Sequence, residues 1–291
     1  MADSPLVHVS FYRFVRIPDV ARTAAVLREL TDGLNGTVLL ASEGINATVA
    51  GPHARMELFE QALAHDERLS RLFVDIDFKR SACTTPPFQR MKVHERAEIL
   101  PLGVPGIDAV GRPGTQLDAW QWRELLAADD VVLIDNRNSF EHRLGHFRNA
   151  IDPMVGNFRD LPEFVTANAS QWKAEGKRVA MYCTGGIRCE KAAVWMQDLG
   201  IEVLQLEGGI LRYLEETKEA DKSAHEEADA LWQGDCFVFD NRIALDRNLQ
   251  ETATTADDVY GDSPDEAWRL RRAHRLDAAT DVEADSGSLG E

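Results

Sequence analysis

Cys183 stands in the stretch R-V-A-M-Y-C-T-G-G-I-R-C-E-K-A-A-V-W, residues 178–195, where an apolar run, a glycine-bearing loop and a helical pattern meet. A thiol in a featureless strand is a small hydrophobe, whereas a thiolate is a nucleophile. The residues after Cys183 favour the second. Gly185 and Gly186 let the backbone turn tightly around the sulfur, so that successive N–H groups from Thr184 through Ile187 to Arg188 can point at it. The same groups open a helix whose positive end favours an anion, and Arg188 adds a full charge, so the loop is expected to lower the thiol pKa. The plain alternative is a strand-to-helix turn carrying two incidental cysteines, Cys183 and Cys189.

Flanking segments supply a frame for that loop. Val179–Tyr182 reads as a buried strand and Lys191–Leu199 as an amphipathic helix closing at Gly200. Upstream, Val131–Ile134 reads as a second buried strand followed by Asp135, Arg137 and Glu141, and ligand sites in parallel sheets lie at that carboxyl edge. These three charged residues are expected to form an ion-pair net that holds the loops around Cys183, with direct catalysis the alternative. His142 and His146 stand four apart, but the intervening Arg-Leu-Gly argues against one helix and so against a metal pair. Downstream, V-L-Q-L-E-G-G-I-L-R-Y-L is another strand, a Gly-Gly turn and a helix. Strands alternating with helices predict a parallel sheet covered on both faces.

In the N-terminal third, Leu6–Phe14 alternates as a strand and Asp19–Leu30 has helical spacing. Gly36–Ala41 and Ile45–Val49 read as a hairpin turning at S-E-G, His53–His65 as a second helix, and Phe73–Phe78 as a last, strictly alternating strand. The order β-α-β-β-α-β is the split arrangement of a ferredoxin-like domain. Lys79–Arg96 then carries Arg80, Arg90, Lys92 and Arg96 beside Phe88, a composition suited to phosphates and a stacked base, or alternatively to a solvated linker. The Gly/Pro-rich run 101–114 sets a boundary near residue 115, and Thr115–Ala127 reads as the first helix of the second domain.

The segments D-x-R, G-H-x-x-N-A, C-T-G-G-I-R-C-E-K and L-x-G-G-I, in this order and spacing, resemble a rhodanese domain. With the N-terminal third included, residues 6–245 resemble the rhodanese-domain tRNA uridine hydroxylases. That resemblance implies an oxidoreductase that hydroxylates the wobble uridine, position 34, at carbon 5. It implies Cys183 as the required catalytic thiol, molecular oxygen as co-substrate and the tRNA anticodon loop as partner, and it favours RNA for the basic segment. Gly145-His146 belongs in the resemblance to a structural loop motif. The alternative from the same loop is a sulfurtransferase carrying a persulfide on Cys183; an adaptor with a degenerate loop is disfavoured because Cys183 is intact. The N-terminal domain with its basic exit separates hydroxylase from a minimal persulfide carrier.

Composition is consistent with this organisation. The 291 residues, 44% hydrophobic, suffice for two cores: residues 1–115, ferredoxin-like with linker, and 116–222, the rhodanese domain, followed by an arm and acidic extension, 223–291. No leader or membrane-length apolar run is visible, so a cytoplasmic protein without a membrane partner is expected, and no protein partner is indicated. Cys83, Cys183, Cys189 and Cys236 show neither zinc spacing nor a disulfide framework, and no flavin or nucleotide fingerprint is present. The net charge of −17 disfavours nucleic acid only in sum: the deficit is one in residues 1–115, five in 116–222 and eleven in 223–291. Many members of the family end in a cysteine-rich tail. Here Gln250–Glu291 is acidic and apolar-poor apart from A-W-R-L-R-R-A-H-R-L, and much of it is expected to be mobile.

Overall fold

The computed structural model describes residues 6–83, 86–112, 114–221 and 230–261. The charged run after Asp221 and the A-W-R-L-R-R-A-H-R-L patch lie outside the described residues.

The N-terminal unit runs β1 (Leu6–Phe14), α1 (Val20–Leu30), β2 (Asn35–Ala41), β3 (Gly44–Pro52), α2 (His53–His65), β4 (Lys79–Cys83) and β5 (Met91–Glu95). Its sheet has the order β4-β1-β3-β2-β5. Alternation in the strands places Val9, Phe11, Val38, Leu40, Ala47 and Val49 on one face, where they pack with Leu27, Met56 and Phe59 of the two helices. Asp19 caps α1 by accepting from Arg22 N at 2.9 Å, and Gly44, at φ +150°, is where β3 crosses too close to Arg13 for any Cβ.

Two expectations fail here. Phe73–Phe78 is not a strand: the chain turns through Asp75, at φ +60°, and Phe73, Ile76 and Phe78 all enter the same core instead of alternating. The closing strand is instead β4, antiparallel to β1, and the supposed basic linker supplies β5, parallel to β2.

The second unit contains β6 (Thr115–Leu117), α3 (Ala119–Leu126), β7 (Val131–Asp135), α4 (Ser139–Leu144), β8 (Gly145–Phe147), α5 (Leu161–Ala174), β9 (Arg178–Tyr182), α6 (Ile187–Asp198), β10 (Val203–Leu206) and α7 (Gly209–Asp221). Strands β6-β10-β9-β7 form a parallel sheet. Thr115–Leu117 was expected to be helical, but it pairs with β10, and α3 starts only after Asp118, whose carboxylate caps Trp120 N and Gln121 N at 2.9 Å. Helix α6 begins at Ile187, four residues before the expected start. Helix α4, opened by the Asn138/Glu141 capping box, includes His142 but ends at Leu144, and His146 lies in β8, so the two histidines do not share one helix, as Arg-Leu-Gly implied.

An arm returns along this unit. β11 (Trp232–Gly234) pairs with β8, and β12 (Cys236–Phe237) forms a hairpin with β13 (Ala244–Leu245). The first stretch of the acidic extension is packed: α8 (Ala256–Tyr260) buries Tyr260 against Phe140, with ring centroids 5.1 Å apart.

The two units meet at Lys191 of α6. Its ammonium, 1% exposed, donates to both carboxylate oxygens of Glu43 at 2.9 Å, to Glu98 at 2.6 Å and to the Leu100 carbonyl at 2.8 Å. Beside it, Phe14, Ala41, Ile99, Ala109 and Val194 form an apolar seam between sheet and helix. Lys191→Met should destabilise the protein by about 3 kcal/mol in urea unfolding, because Glu43 loses its cation in a dry interface. Glu98→Gln, at a carboxylate 36% exposed, should cost less than about 1 kcal/mol.

Candidate active site

Cys183 leaves β9 at the carboxyl edge of the parallel sheet, next to β7 on one side and β10 on the other. The turn closes on Gly186, which at φ +98° precedes α6 and donates its N–H to Cys183 Sγ at 3.1 Å. A Cβ on Gly186 would come within 2.9 Å of the Tyr12 hydroxyl, so the loop is also shaped by the N-terminal sheet.

Burial, with Cys183 1% exposed, pushes its thiol up. The Cys189 thiol, the Arg188 charge and the N–H groups of Cys189 and Arg188 outweigh that desolvation and bring the pKa down to about 6. Cys189 is pushed in the opposite direction, by burial and by its anionic neighbour, so it remains a thiol and can donate. Asn136 Nδ2 approaches its sulfur at 3.9 Å. The i, i+6 separation of Cys189 from Cys183 spans the turn and the first helical residues, which is what brings the two sulfurs together.

Arg188 is fixed by two parallel hydrogen bonds to Glu141 Oε1 and Oε2, both 2.9 Å, and its guanidinium lies 5.6 Å from the Phe239 ring centroid. Glu141 also accepts from Asn138 N at 3.1 Å, and Thr184 Oγ1 lies 3.5 Å from it. One layer deeper, Arg137 grips Asp135 at 2.8 and 2.6 Å and donates to the Gly145 carbonyl at 2.6 Å, while Tyr182 OH donates to Asp135 at 2.7 Å. Burial acts against the Asp135 carboxylate, but Arg137, His142 and Tyr182 hold its pKa at about 2. Asp135, Arg137 and Glu141 are fully covered beneath the loop, which places them as its frame. His142 and His146 stack at 4.2 Å, with His142 Nδ1 3.1 Å from Asp135, and among the described residues no group of three or more His, Cys, Asp or Glu is arranged to hold a metal.

Cys183, Thr184, Gly185, Ile187 and Arg188 form one wall of a cleft of ≈ 740 Å³ between the units. Tyr12, Asn46, Thr48 and Lys79 of the N-terminal sheet form the opposite wall, and Phe239, Asp240 and Arg242 of the arm close one side. Tyr12 OH donates to Glu190 Oε2 at 3.0 Å, and burial foremost raises the pKa of Glu190. Lys79 Nζ lies 5.4 Å from the Tyr12 ring centroid. At the arm, Asp240 accepts from Arg242 at 2.8 and 2.7 Å and sits 3.2 Å from His8 Nε2, while Arg242 donates to Ser81 at 2.7 Å. Apart from Lys79, which opens the basic segment, none of these residues stands out in the sequence; the signal available is the two-residue alternation of β1, which puts His8, Ser10 and Tyr12 on one face.

The four basic residues do not come together. Arg80 shares a face with Val9, pairs with Glu60 of α2 and lies 5.8 Å from the Phe78 ring centroid. Arg90 and Arg96 are exposed and Lys92 half-buried, at the opposite edge of the five-stranded sheet. Cys83 and Cys236 lie away from the loop, and burial holds both thiols up, Cys236 at about 12.

Comparison with known proteins agrees with both units. Residues 6–99 match the UPF0176 acylphosphatase-like domain and residues 119–216 the rhodanese-like domain. A Brucella anthropi protein named tRNA uridine(34) hydroxylase is 40% identical over 255 residues, 87% of this chain and 79% of the relative. Proteins of that name from Synechococcus elongatus and another Synechococcus strain are each 46% identical over 248 residues, 84% of this chain and 87% of the relative. With both domains matched in order and most of each relative covered, the chain belongs to the tRNA uridine(34) hydroxylase family.

Proposed function

We infer that this protein hydroxylates uridine 34 of tRNA, at carbon 5, with molecular oxygen as co-substrate and Cys183 as the required thiol. The observation that carries this reading is a stabilised, almost fully buried sulfur at the wall of a two-domain cleft, in a chain whose relatives over most of its length are named for this reaction. The substrate enters as an extruded base: anticodon-loop nucleotides are already unpaired, so placing one in the cleft opens no duplex.

Addition of the Cys183 thiolate to carbon 6 makes carbon 5 enolate-like and nucleophilic towards an electrophilic oxidant. Placing one atom of oxygen on carbon 5 and reducing the other to water consumes two electrons and two protons, which an external thiol pair supplies on becoming a disulfide; loss of the carbon 5 proton then expels the Cys183 thiolate from carbon 6 and restores the 5,6 double bond. The loop holds the sulfur anionic before the base arrives, and the same N–H groups remain to fix its position afterwards. Arg188 and the Cys189 thiol act through Cys183 as positioning residues. The framing carboxylates fix Arg188 and the loop backbone.

Nucleoside analysis of total tRNA from cells with and without the gene should show 5-hydroxyuridine and its derivatives lost with the gene; their persistence would remove the hydroxylase reading, and a change confined to sulfur-containing nucleosides would favour sulfur transfer. Cys183→Ser should reduce hydroxylation to background in the purified enzyme, because a serine hydroxyl does not ionise near neutral pH, while Cys83→Ser and Cys236→Ser should stay within about threefold of wild type.

The rate of Cys183 alkylation by iodoacetamide should rise through a midpoint near pH 6 and level off above it. Arg188→Ala and Cys189→Ala should each move that midpoint upward, towards an ordinary thiol, and their activity should be depressed most at neutral pH and partly recover as pH rises. An unmoved alkylation profile in both variants would mean that the helix amides alone set the thiolate.

A further inference from the structure

Strand register, rather than any single residue, points to a second part of the RNA site. Thr48 of β3 lies opposite both Ser10 of β1 and Thr37 of β2; Ser10 lies opposite Lys79 of β4, and Thr37 opposite Lys92 of β5. Residues opposite one another on neighbouring strands share a face, so Lys92, Thr37, Thr48, Ser10 and Lys79 form one straight row across all five strands. The row lies on the face away from α1 and α2, whose partners are the alternate residues Val9, Val38, Val49 and Val93. All five side chains are half-buried. The hydroxyls of Ser10, Thr37 and Thr48 make no hydrogen bond to any described residue.

The row has a direction. At one end, Lys79 lies alongside Gly185, its Cδ 3.8 Å from where a Cβ of that glycine would stand, so the row ends against the Cys183 loop. Ser10, Thr48 and Lys79 line the cleft, whereas Thr37 and Lys92 continue the row beyond it. At that far end, Arg90 and Arg96 flank Lys92. Burial first, and then the charges of Arg96, Lys92 and Arg28, hold His94 below its ordinary pKa, which reports a positive local field at this edge. The next row, His94, Leu39, Asn46 and Tyr12, also carries no carboxylate. In a chain of net charge −17, a row that carries no carboxylate of its own, with Lys92 free of any ion pair among the described residues at one end and Lys79 shared with Asp77 at 3.1 Å at the other, is matched to an anion.

We propose that this row is a track for single-stranded RNA, on which the sugar-phosphate of the nucleotides flanking the target uridine lies while its base enters the Cys183 cleft. The proposal rests on the tRNA reading above and adds where the strand runs. Four strand spacings give a row about 19 Å long, and a sheet face of this size holds two or three nucleotides. Lys92 at the far end meets a phosphate, Lys79 reaches one only in exchange for Asp77, and the free hydroxyls between them meet phosphate oxygens and ribose 2′-hydroxyls, so the row contacts RNA without reading its bases. Arg80, turned to the helix face, is no part of the track.

The test is titration of an anticodon stem–loop RNA carrying an unmodified uridine 34, at several salt concentrations, against the full-length protein, Lys92→Gln, and the triple variant Ser10→Ala/Thr37→Val/Thr48→Val. Far-UV circular dichroism checks that the sheet is intact. Lys92→Gln should weaken binding and shallow the log–log salt slope by about 0.7, the value for one phosphate contact on a single strand. The triple variant should bind about tenfold or more weakly with its salt slope unchanged, since it removes hydrogen bonds and no charge. Replacement of the RNA loop by DNA should lower wild-type affinity more than that of the triple variant. Unchanged affinity and slope in both folded variants would overturn the track. If wild type binds the RNA with these dependences yet forms no 5-hydroxyuridine, the hydroxylase reading falls and the track stands.

Discussion

Everything in the cleft depends on one buried ammonium. Burying the charge of Lys191 costs several kcal/mol, which is recovered only because four oxygens from Glu43, Glu98 and Leu100 surround it. Those oxygens belong to the N-terminal unit and its exit segment, and Lys191 lies one helical turn beyond the Cys183 loop. The interaction is geometric as much as energetic. It sets the tight β2–β3 turn against α6, and thereby brings Tyr12, Lys79 and the open sheet face to the sulfur. The adjacent residue, Glu190, makes the second cross-unit contact through Tyr12.

Beneath the loop the charges alternate in layers. Asp135 and Arg137 form the deepest pair, Glu141 and Arg188 the next, and the Cys183 sulfur stands last, at the cleft. Each member is fixed by backbone as well as by its partner, Asp135, Glu141 and Cys183 accepting from N–H groups and Arg137 and Arg188 donating to carbonyls, so none is free to turn away. This explains how an anionic sulfur persists at 1% exposure: the nearest cation is itself neutralised, but it is locked in place, and the thiol and amide donors of α6 supply the rest. The arm completes the enclosure, with Phe239 over Arg188 and Asp240 joined to His8 and Arg242.

Much of this was legible from residue order, for reasons that differ between elements. Strands β1, β2, β3, β7 and β9 announce themselves by alternation or continuous apolar runs, and Gly185-Gly186 after such a run fixes the loop. Phe73–Phe78 misled because alternation describes which side chains are apolar, not which way the backbone sends them; three aromatic and aliphatic groups converging on one core need turns. β5 was obscured by its charge, since a five-residue strand at an edge needs apolar residues only on one face, here Met91 and Val93. Contacts such as Lys191 with Glu43, or Tyr12 with Glu190, join residues more than a hundred positions apart and leave no local mark. Likewise, the basic run 79–96 could not disclose that the chain crosses the whole sheet between Arg80 and Arg90.

β5 also bears on how the protein behaves in crowded surroundings. Among the described residues it is the last strand of its sheet, so its outer side presents backbone N–H and C=O groups with no strand partner, of which the Val93 carbonyl is taken by Arg28 at 3.3 Å, and these are a template for another chain. Arg90, Lys92 and Arg96 stand along that border, and two copies meeting edge to edge would set these cations against one another. Charge at this border therefore guards against self-association, and a chain that surrendered it would gain a propensity to assemble through its own sheet.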